Sequence, residues 1–544
     1  MLNYVWLALL FLGIGAAITT DLVDQSQNKY RNNEPLPVII NFQEPFIKGQ
    51  EKNYQATLNV NLSDFNKFYK ENISSDIKEA AKVAIHSDAS KNSISFIVSK
   101  TDPKIWRDIA AAVGEKDDIN GKVKIDSLIT PTTASAHIVL EDVSFLKIRE
   151  VTNAVLEYAG TAVTIALGLI GIMAMWLGVM KVADEAGLIK IIARWLTPLT
   201  KRLFPEVPVD HPAMGSMIMN ISANMLGLSN AATPFGLKAM EELDTLNPNK
   251  GTATNAMCTF LAINTAGMTL IPATAIAIRA AAGSSEPAII IGTSLFGSFC
   301  ATVAGITAAK TLEKFPIKKG QFSEWMKSNL RAFAFILAII AAVLIFVNTG
   351  AGKIFSSLFG FVTPELFKSV IQIFSTIAIP LLIVIFIGYG AIKKVKVYEK
   401  FVEGAKEGFN IAVRIIPYLV AMLVAIGIFR AGGAMNWLIY ILHPITNLIG
   451  MPAEAMPMAL MRPLSGSGSL GVMAEIISVH GPDSPIGILV STLYGSSETT
   501  FYVLAVYFGA VNIKNIRHSL PAGLIADIAG VLGAVFIVRL LFGF

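Results

Sequence analysis

From about residue 158 to the C-terminus the chain is written in apolar blocks. Most reach roughly 20 residues, the length that crosses a bilayer as a helix. The blocks at 159–180, 254–278, 287–308, 330–348, 369–391, 409–429, 486–510 and 519–540 predict transmembrane helices. Two more, near 212–235 and 455–478, are apolar but broken by Gly, Pro, Asn and Ser, and predict interrupted or re-entrant helices. A further run, "YVWLALLFLGIGAAIT" at 4–19, has no basic stretch before it, and Asp21 and Asp24 follow. It reads as an uncleaved first span, with a cleaved signal peptide as the alternative.

Between residues 25 and 150 the pattern changes to short alternating or β-branched runs separated by turn residues. "PVIINF" (37–42), "YQATLNVNL" (54–62), "NSISFIV" (92–98), "GKVKIDSLI" (121–129) and "SAHIVLEDV" (135–143) predict strands. "DPKIWRDIAAAVG" (102–114) predicts a helix with Asp102 as N-cap and Pro103 at its first position. This is the pattern of a small α+β domain in water. Its two Asn-x-Ser sequons, at Asn61 and Asn72, are read as chance matches for a bacterial source.

Composition agrees. Only 15% of residues are charged, against about 25% in soluble proteins, and mean hydropathy is +0.58. Cys258 and Cys300 lie in apolar segments and make no disulfide framework. The net charge of +5 matters less than where the bases fall. The stretches 313–331 and 393–400 are basic, and the two spans between them place both on one side, the cytoplasm.

The membrane part is written twice. One copy starts at Ala162 and the other at Ala412. Each is a span, a basic residue (Lys181, Arg430), a short amphipathic helix ending near a proline (Pro198, Pro444), a broken segment, and a span with a polar cluster. The first amphipathic helix carries Lys190, Arg194, Lys201 and Arg202, whereas 433–456 has no Lys or Arg. Basic residues mark the cytoplasmic side, so equivalent elements fall on opposite sides, the signature of an inverted-topology repeat. The 25–150 domain is then extracytoplasmic.

"GSGSLG" at 466–471 fits a dinucleotide fingerprint letter for letter, but a proline-interrupted apolar segment precedes it where a strand is required. Unwound backbone at membrane depth needs a protein or wet-cavity lining. Ser465, Ser467 and Ser469 can satisfy freed backbone groups or bind a polar solute. The first copy's break supplies Asn220, Asn224, Ser229, Asn230 and Thr233. Carboxamides both donate and accept, which suits a neutral polar solute, although they also glue membrane helices together. Glu498, with Thr499 beside it, interrupts an apolar stretch, and Arg462 is its natural partner; Asn264 and Thr265 hold the matching place in the first copy. The pair reads as a structural ion pair, a substrate contact or a coupling site.

Met214, Met217, Met219 and Met225 read as packing rather than soft-metal ligands, and His211 and His443, each near a proline, as loop or capping residues. No zinc-protease, nucleophile-elbow or Walker A pattern occurs. No enzyme activity, metal or cofactor is expected, and nucleic acid is not an expected partner.

"GLIGIMAMWLGVMKVADEAGL", "NMLGLSNAATPFGLKAMEEL" and "FLAINTAGMTLIPATAIAIR" resemble the spore maturation protein A family. "VYEKFVEGAKEGFNIAVRIIPYLVAMLVAIGIFRAGGA", "RPLSGSGSLGVMAEII" and "ETTFYVLAVYFGAV" resemble the B family. Both belong to the nucleoside recognition, or gate, domain group, which includes the membrane part of the ferrous iron transporter and resembles concentrative nucleoside transporters. The resemblance implies a fusion of two partners that are separate chains elsewhere, implicated in spore core dehydration. The inserted 25–150 domain departs from that pattern and hints at an envelope function.

The expected architecture is an all-α polytopic membrane protein with two gate-type repeats and a small α+β domain. Its segments are 1–24 (first span), 25–150 (outer domain), 151–315 (first repeat), 316–392 (linker with two spans) and 393–544 (second repeat). The expected function is transport of a small polar solute through a midplane site in the inner membrane; the alternative is a non-transporting scaffold or receptor. Candidate partners are the lipid bilayer, the solute, a second copy of the chain and an envelope protein at 25–150.

Overall fold

The computed structural model describes residues 2–47, 50–99, 101–113, 117–227, 229–313 and 364–543, with 327, 330, 334 and 338. By packing the chain divides into two units: Leu9–Val155 with Ile428–Met435, and Met1–Ala8 with Leu156–Gly427 and Asn436–Phe544. The expected span at 330–348 lies outside the described residues apart from those isolated positions.

The first unit holds helix α1 (Leu2–Ser26), most of which belongs to it, and a closed antiparallel barrel of six strands. The strands are β1 (Leu36–Phe42), β2 (Lys52–Val60), β3 (Ile77–Ile85), β4 (Ser93–Ile97), β5 (Asp118–Thr130) and β6 (Thr133–Leu140). β1 closes on β6, with Leu36 opposite Ile138 and Ile40 opposite Ala134. Closure leaves no free edge. Ala56, Ala81, Ala134 and Ala136 are all buried, and small inward residues let so few strands close around a filled interior. Two helices complete the core, α2 (Leu62–Tyr69) through Phe65 and α3 (Lys104–Val113) through Trp106. Trp106 meets Phe65 and Phe96. α3 begins one residue later than expected, and the Asp102 carboxylate accepts from the Ser99 N–H at 2.6 Å. After the barrel the chain enters α4 (Leu146–Glu185). Asp21, buried at the end of α1, accepts from the Lys147 and Ile148 N–H groups at 2.8 and 2.9 Å, capping that helix with negative charge.

In the other unit, α4 is followed by α5 (Leu188–Leu203), α6 (Pro212–Met225), α7 (Ser229–Thr245), α8 (Asn255–Ala266), α9 (Ala273–Ala281) and α10 (Ile290–Leu312). Next comes α11 (Pro364–Ile392), which covers the expected span at 369–391. The series then recurs as α12 (Val397–Ala431), α13 (Ala434–Ile449), α14 (Met456–Leu464), α15 (Gly466–His480), α16 (Pro485–Gly495), α17 (Thr500–Ala510) and α18 (Ser519–Phe542). Helices α1, α4, α10, α12 and α18 are long and apolar enough to cross a membrane.

Two expectations need correction. The blocks 254–278 and 486–510 are not continuous spans: each is a pair of short helices with a break, at 267–272 and 496–499. Gly267 ends α8 at φ +55°, a left-handed turn that favours glycine, and Pro272 precedes α9. The amphipathic helices also do not end at their prolines; Pro198 and Pro444 lie inside α5 and α13.

Corresponding helices of the two series pack on each other and run in opposite directions. On α4 and α12, Tyr158 meets Gly427, Met173 meets Gly408, and Lys400 pairs with Glu185 at 3.0 Å. On α10 and α18, Gly297 lies against Gly530 and Gly533, and Gly305 against Ala526. The stripe Gly297–Ala301–Gly305 faces Ala526–Gly530–Gly533, a small-xxx-small contact that brings backbones close.

Each broken helix pair is also held at its end by an arginine. Arg279, fully buried at the end of α9, donates to the Pro482 carbonyl and to Asp483 Oδ1 at 2.9 Å. Asp483 in turn accepts from Ser284 and Ser285. Arg517, after α17, donates to the Ala253 carbonyl at 3.1 Å and Asn255 Oδ1 at 2.9 Å. So the loop after α9 clasps the loop before α16, and the loop after α17 clasps the loop before α8.

Candidate functional site

Four helix breaks meet in the helical unit. The α6–α7 break touches the α8–α9 break, where the Leu270 N–H donates to the Met225 carbonyl at 2.8 Å. The α8–α9 break touches the α16–α17 break, where the Glu498 N–H donates to the Thr265 carbonyl at 2.9 Å. The α16–α17 break touches the α14–α15 break, where Arg462 donates to the Ser497 carbonyl. The two outer interruptions are legible in the sequence; the two inner ones join them. The half-helices pair crosswise, α8 beside α17 and α9 beside α16. Two discontinuous helices pack this way when they run antiparallel and cross at their breaks.

The candidate side chains take different roles. Asn220 is fully buried on α6 and donates to the Ala232 carbonyl at 2.7 Å and to the Tyr507 hydroxyl at 3.3 Å. Its Oδ1 has no partner among the described residues. Asn224 donates to Asn264 Oδ1 at 3.0 Å, and Asn264 donates to the Phe260 carbonyl at 2.9 Å. Thr265 turns its hydroxyl back to the Ala262 carbonyl at 3.0 Å. Ser465 caps α15, accepting from the Gly468 N–H at 3.0 Å, and Ser467 lies 3.4 Å from it. Ser469 donates to the Gly466 carbonyl at 2.9 Å and is fully buried. Thr499 is buried at the start of α17, against Gly466. The side chains of Ser229 and Asn230 lie outside the described residues.

Arg462 and Glu498 form the charged centre. Their closest atoms are 3.6 Å apart, and the guanidinium lies 4.3 Å from the Tyr494 ring centroid, a cation–π contact. Arg462 is buried, with its side chain 7% exposed, whereas that of Glu498 is 41% exposed. The carboxylate is therefore the open end of the pair. Glu498 packs on Gly267, where any side chain would collide with it.

Three ionisable groups escape the sequence reading. Asp527, buried on α18, accepts from the Thr500 hydroxyl at 2.6 Å. It lines a void of about 10 Å³ with Arg462, Pro463, Ser496, Ser497 and Gly530. Glu475 is fully buried on α15, 3.5 Å from the Tyr158 hydroxyl. Tyr507 completes the Asn220 contact. A lone carboxylate inside an apolar block, as at Asp527, is the available signal.

The Gate family model, described as nucleoside recognition, matches residues 166–282 and 412–514. These run from the second half of α4 through α9, and from the second half of α12 into the loop after α17. Spore maturation protein B of Bacillus subtilis is 52% identical over 174 residues, covering 98% of that protein and 32% of this chain. The chain belongs to the nucleoside recognition, or Gate, family. Spore maturation protein A of Bacillus subtilis is 42% identical over 174 residues, 89% of that protein and 32% of this chain. This Gate chain is thus consistent with a fusion of the two. It also resembles the inner membrane protein YjiG of Escherichia coli K12, 33% identical over 81 residues, 53% of that protein and 15% of this chain. No solved structure matches the chain at a significant level.

Proposed function

We propose that this Gate chain is a transporter-like membrane protein that binds a small polar solute where its four helix breaks meet. The observation that carries the reading is the half-exposed Glu498 carboxylate, held by buried Arg462 at the crossing of two discontinuous helices. Broken helices place backbone polar groups and ionisable side chains at membrane depth, where they are costly unless used. On this reading the two series are an inverted-topology repeat, supported by the antiparallel packing of α4 on α12 and α10 on α18. The basic face of α5, with Lys250, Lys514 and Arg517, then lies at the cytoplasmic side, and the barrel and the Arg279 clasp lie outside. Transport is alternating access, one series rocking against the other around the breaks.

The test is a thermal-shift screen of purified protein against nucleosides, amino acids, dicarboxylates and metal ions. A bound solute at 100 times its Kd stabilises by about 2.7 kcal/mol. The reading expects a stabilising class whose effect disappears in Glu498→Gln and weakens in Asn224→Ala; no response from any class counts against it.

A second reading, a non-transporting scaffold, is favoured by one observation. Asn224 spends its amide N–H on Asn264, and Asn264 spends its own on the Phe260 carbonyl. Under it the barrel binds an envelope partner, and the helices hold it in the membrane.

A further inference from the structure

The break cluster brings two carboxyl groups, Glu498 and Asp527, to one guanidinium, Arg462. Arg462 is 3.6 Å from Glu498 and makes no ion pair with Asp527 among the described residues. Asp527 is 5% exposed; its Oδ2 takes the Thr500 hydroxyl, and its Oδ1 has no hydrogen-bond partner among the described residues. Arg462 Nε is likewise buried and unpartnered. Both residues line the same void of about 10 Å³, room for roughly one water. One guanidinium thus pairs with an open carboxylate, Glu498, and lines a void with a buried carboxyl, Asp527, that has no ion pair among the described residues. An ionised carboxylate buried in this way costs several kcal/mol unless a positive charge comes to it.

α18 packs against α8, α10, α11, α14, α16 and α17. Of the charged and titratable groups these bring, Arg462 of α14 shares the void and Tyr494 of α16 lies under that guanidinium. On the other helices, Cys300 of α10 meets Gly533, Lys310 pairs with Glu313, and Cys258 of α8 faces the Ile516 carbonyl. Tyr502 and Tyr507 lie on α17 and Tyr389 on α11. A metal cation in the void would sit beside the guanidinium, so a proton is the cation that fits.

We propose that Asp527 is a proton-binding site, and that Arg462 is shared between it and Glu498. With Asp527 protonated, Arg462 pairs with Glu498. When the proton leaves to solvent, Arg462 turns to the new carboxylate and Glu498 is released. The exchange couples a proton to the open carboxylate; its part in transport rests on the reading above, while proton binding itself does not.

The test is infrared spectroscopy of the full chain carrying Glu79→Gln, which removes a second protonated carboxyl in the barrel, titrated over roughly pH 5 to 9. The proposal expects a protonated-carboxyl C=O band that Asp527→Asn removes and Glu498→Gln keeps. In Glu498→Gln the band titrates at lower pH, by about one unit or more, because Arg462 then has a single carboxylate to serve. If Asp527→Asn does not fold, Thr500→Val removes the hydrogen bond to Oδ2 and must shift the band's frequency. A Glu79→Gln protein without the band overturns the proposal, as does a band that survives Asp527→Asn or is unmoved by Glu498→Gln and Thr500→Val. A solute screen that fails beside a positive band would sink the transport reading and leave this site standing.

Discussion

Trp106 shows how much of the barrel rests on single side chains. It is fully buried and in ring contact with Phe65 and Phe96. Trp106→Ala should cost about 3–5 kcal/mol, seen as faster hydrogen exchange across the strands of the full chain. Glu79, on β3, makes the barrel pH-sensitive. Its carboxyl is pushed up to about 7, first by burial, then by the Asp102 charge and a hydrogen bond to that residue. The folded barrel therefore holds a proton that the unfolded chain, with an ordinary value of 4.5, releases. This contribution to stability is greatest below pH 4.5, declines as pH rises to about 7, and is flat above. Glu79→Gln should abolish that decline, measured as exchange opening energies of β3 at roughly pH 5 and pH 8; an unchanged slope would exclude Glu79 as its source. At this scale Arg462, Glu498 and the asparagines were legible because polar residues in apolar blocks stand out. Asp527 carries the same signal, a lone carboxylate in an apolar span, but nothing in the sequence places it beside Arg462, about 65 residues earlier in the chain. Nor do Ser469 and Thr265 reveal in the sequence that their hydroxyls are turned to their own helix backbone.

Among elements, the helix order and the first repeat of breaks could be read from apolar periodicity. The breaks at 267–272 and 496–499 could not, because "GMTLIP" and "GSSET" are short and lie within otherwise continuous apolar blocks. Strand β3, "IKEAAKVAI", was also missed; its Ala, Lys and Glu favour helix by propensity, and only cross-strand pairing with β2 and β4 makes it a strand. Close packing of α4 on α12 depends on glycine. A side chain at Gly408 would overlap the backbone of Met173 and Ala174, whereas Gly171, on α4, faces open space. Gly408→Leu should therefore destabilise by about 1–3 kcal/mol or more, and Gly171→Ala should be tolerated; thermal unfolding of the purified protein compares them. Equal tolerance would mean that the two helices do not pack at this register.

For the molecule as a whole, the two series depend on each other at one crossing: the α8–α9 break of the first meets the α16–α17 break of the second, where the Glu498 N–H donates to the Thr265 carbonyl. The Arg279 clasp joins loops of both series at one end of the broken helices, and the Arg517 clasp does so at the other. If the series are inverted, these clasps lie on opposite faces of the membrane. In a background of Cys258→Ala and Cys300→Ala, Ser285→Cys reports the first clasp and Asn249→Cys the second; both positions are exposed. Labelling with a membrane-impermeant maleimide should modify Ser285→Cys in intact cells and Asn249→Cys only after permeabilisation. Modification of both from the same side would contradict the inverted arrangement, and with it a solute path through the meeting breaks.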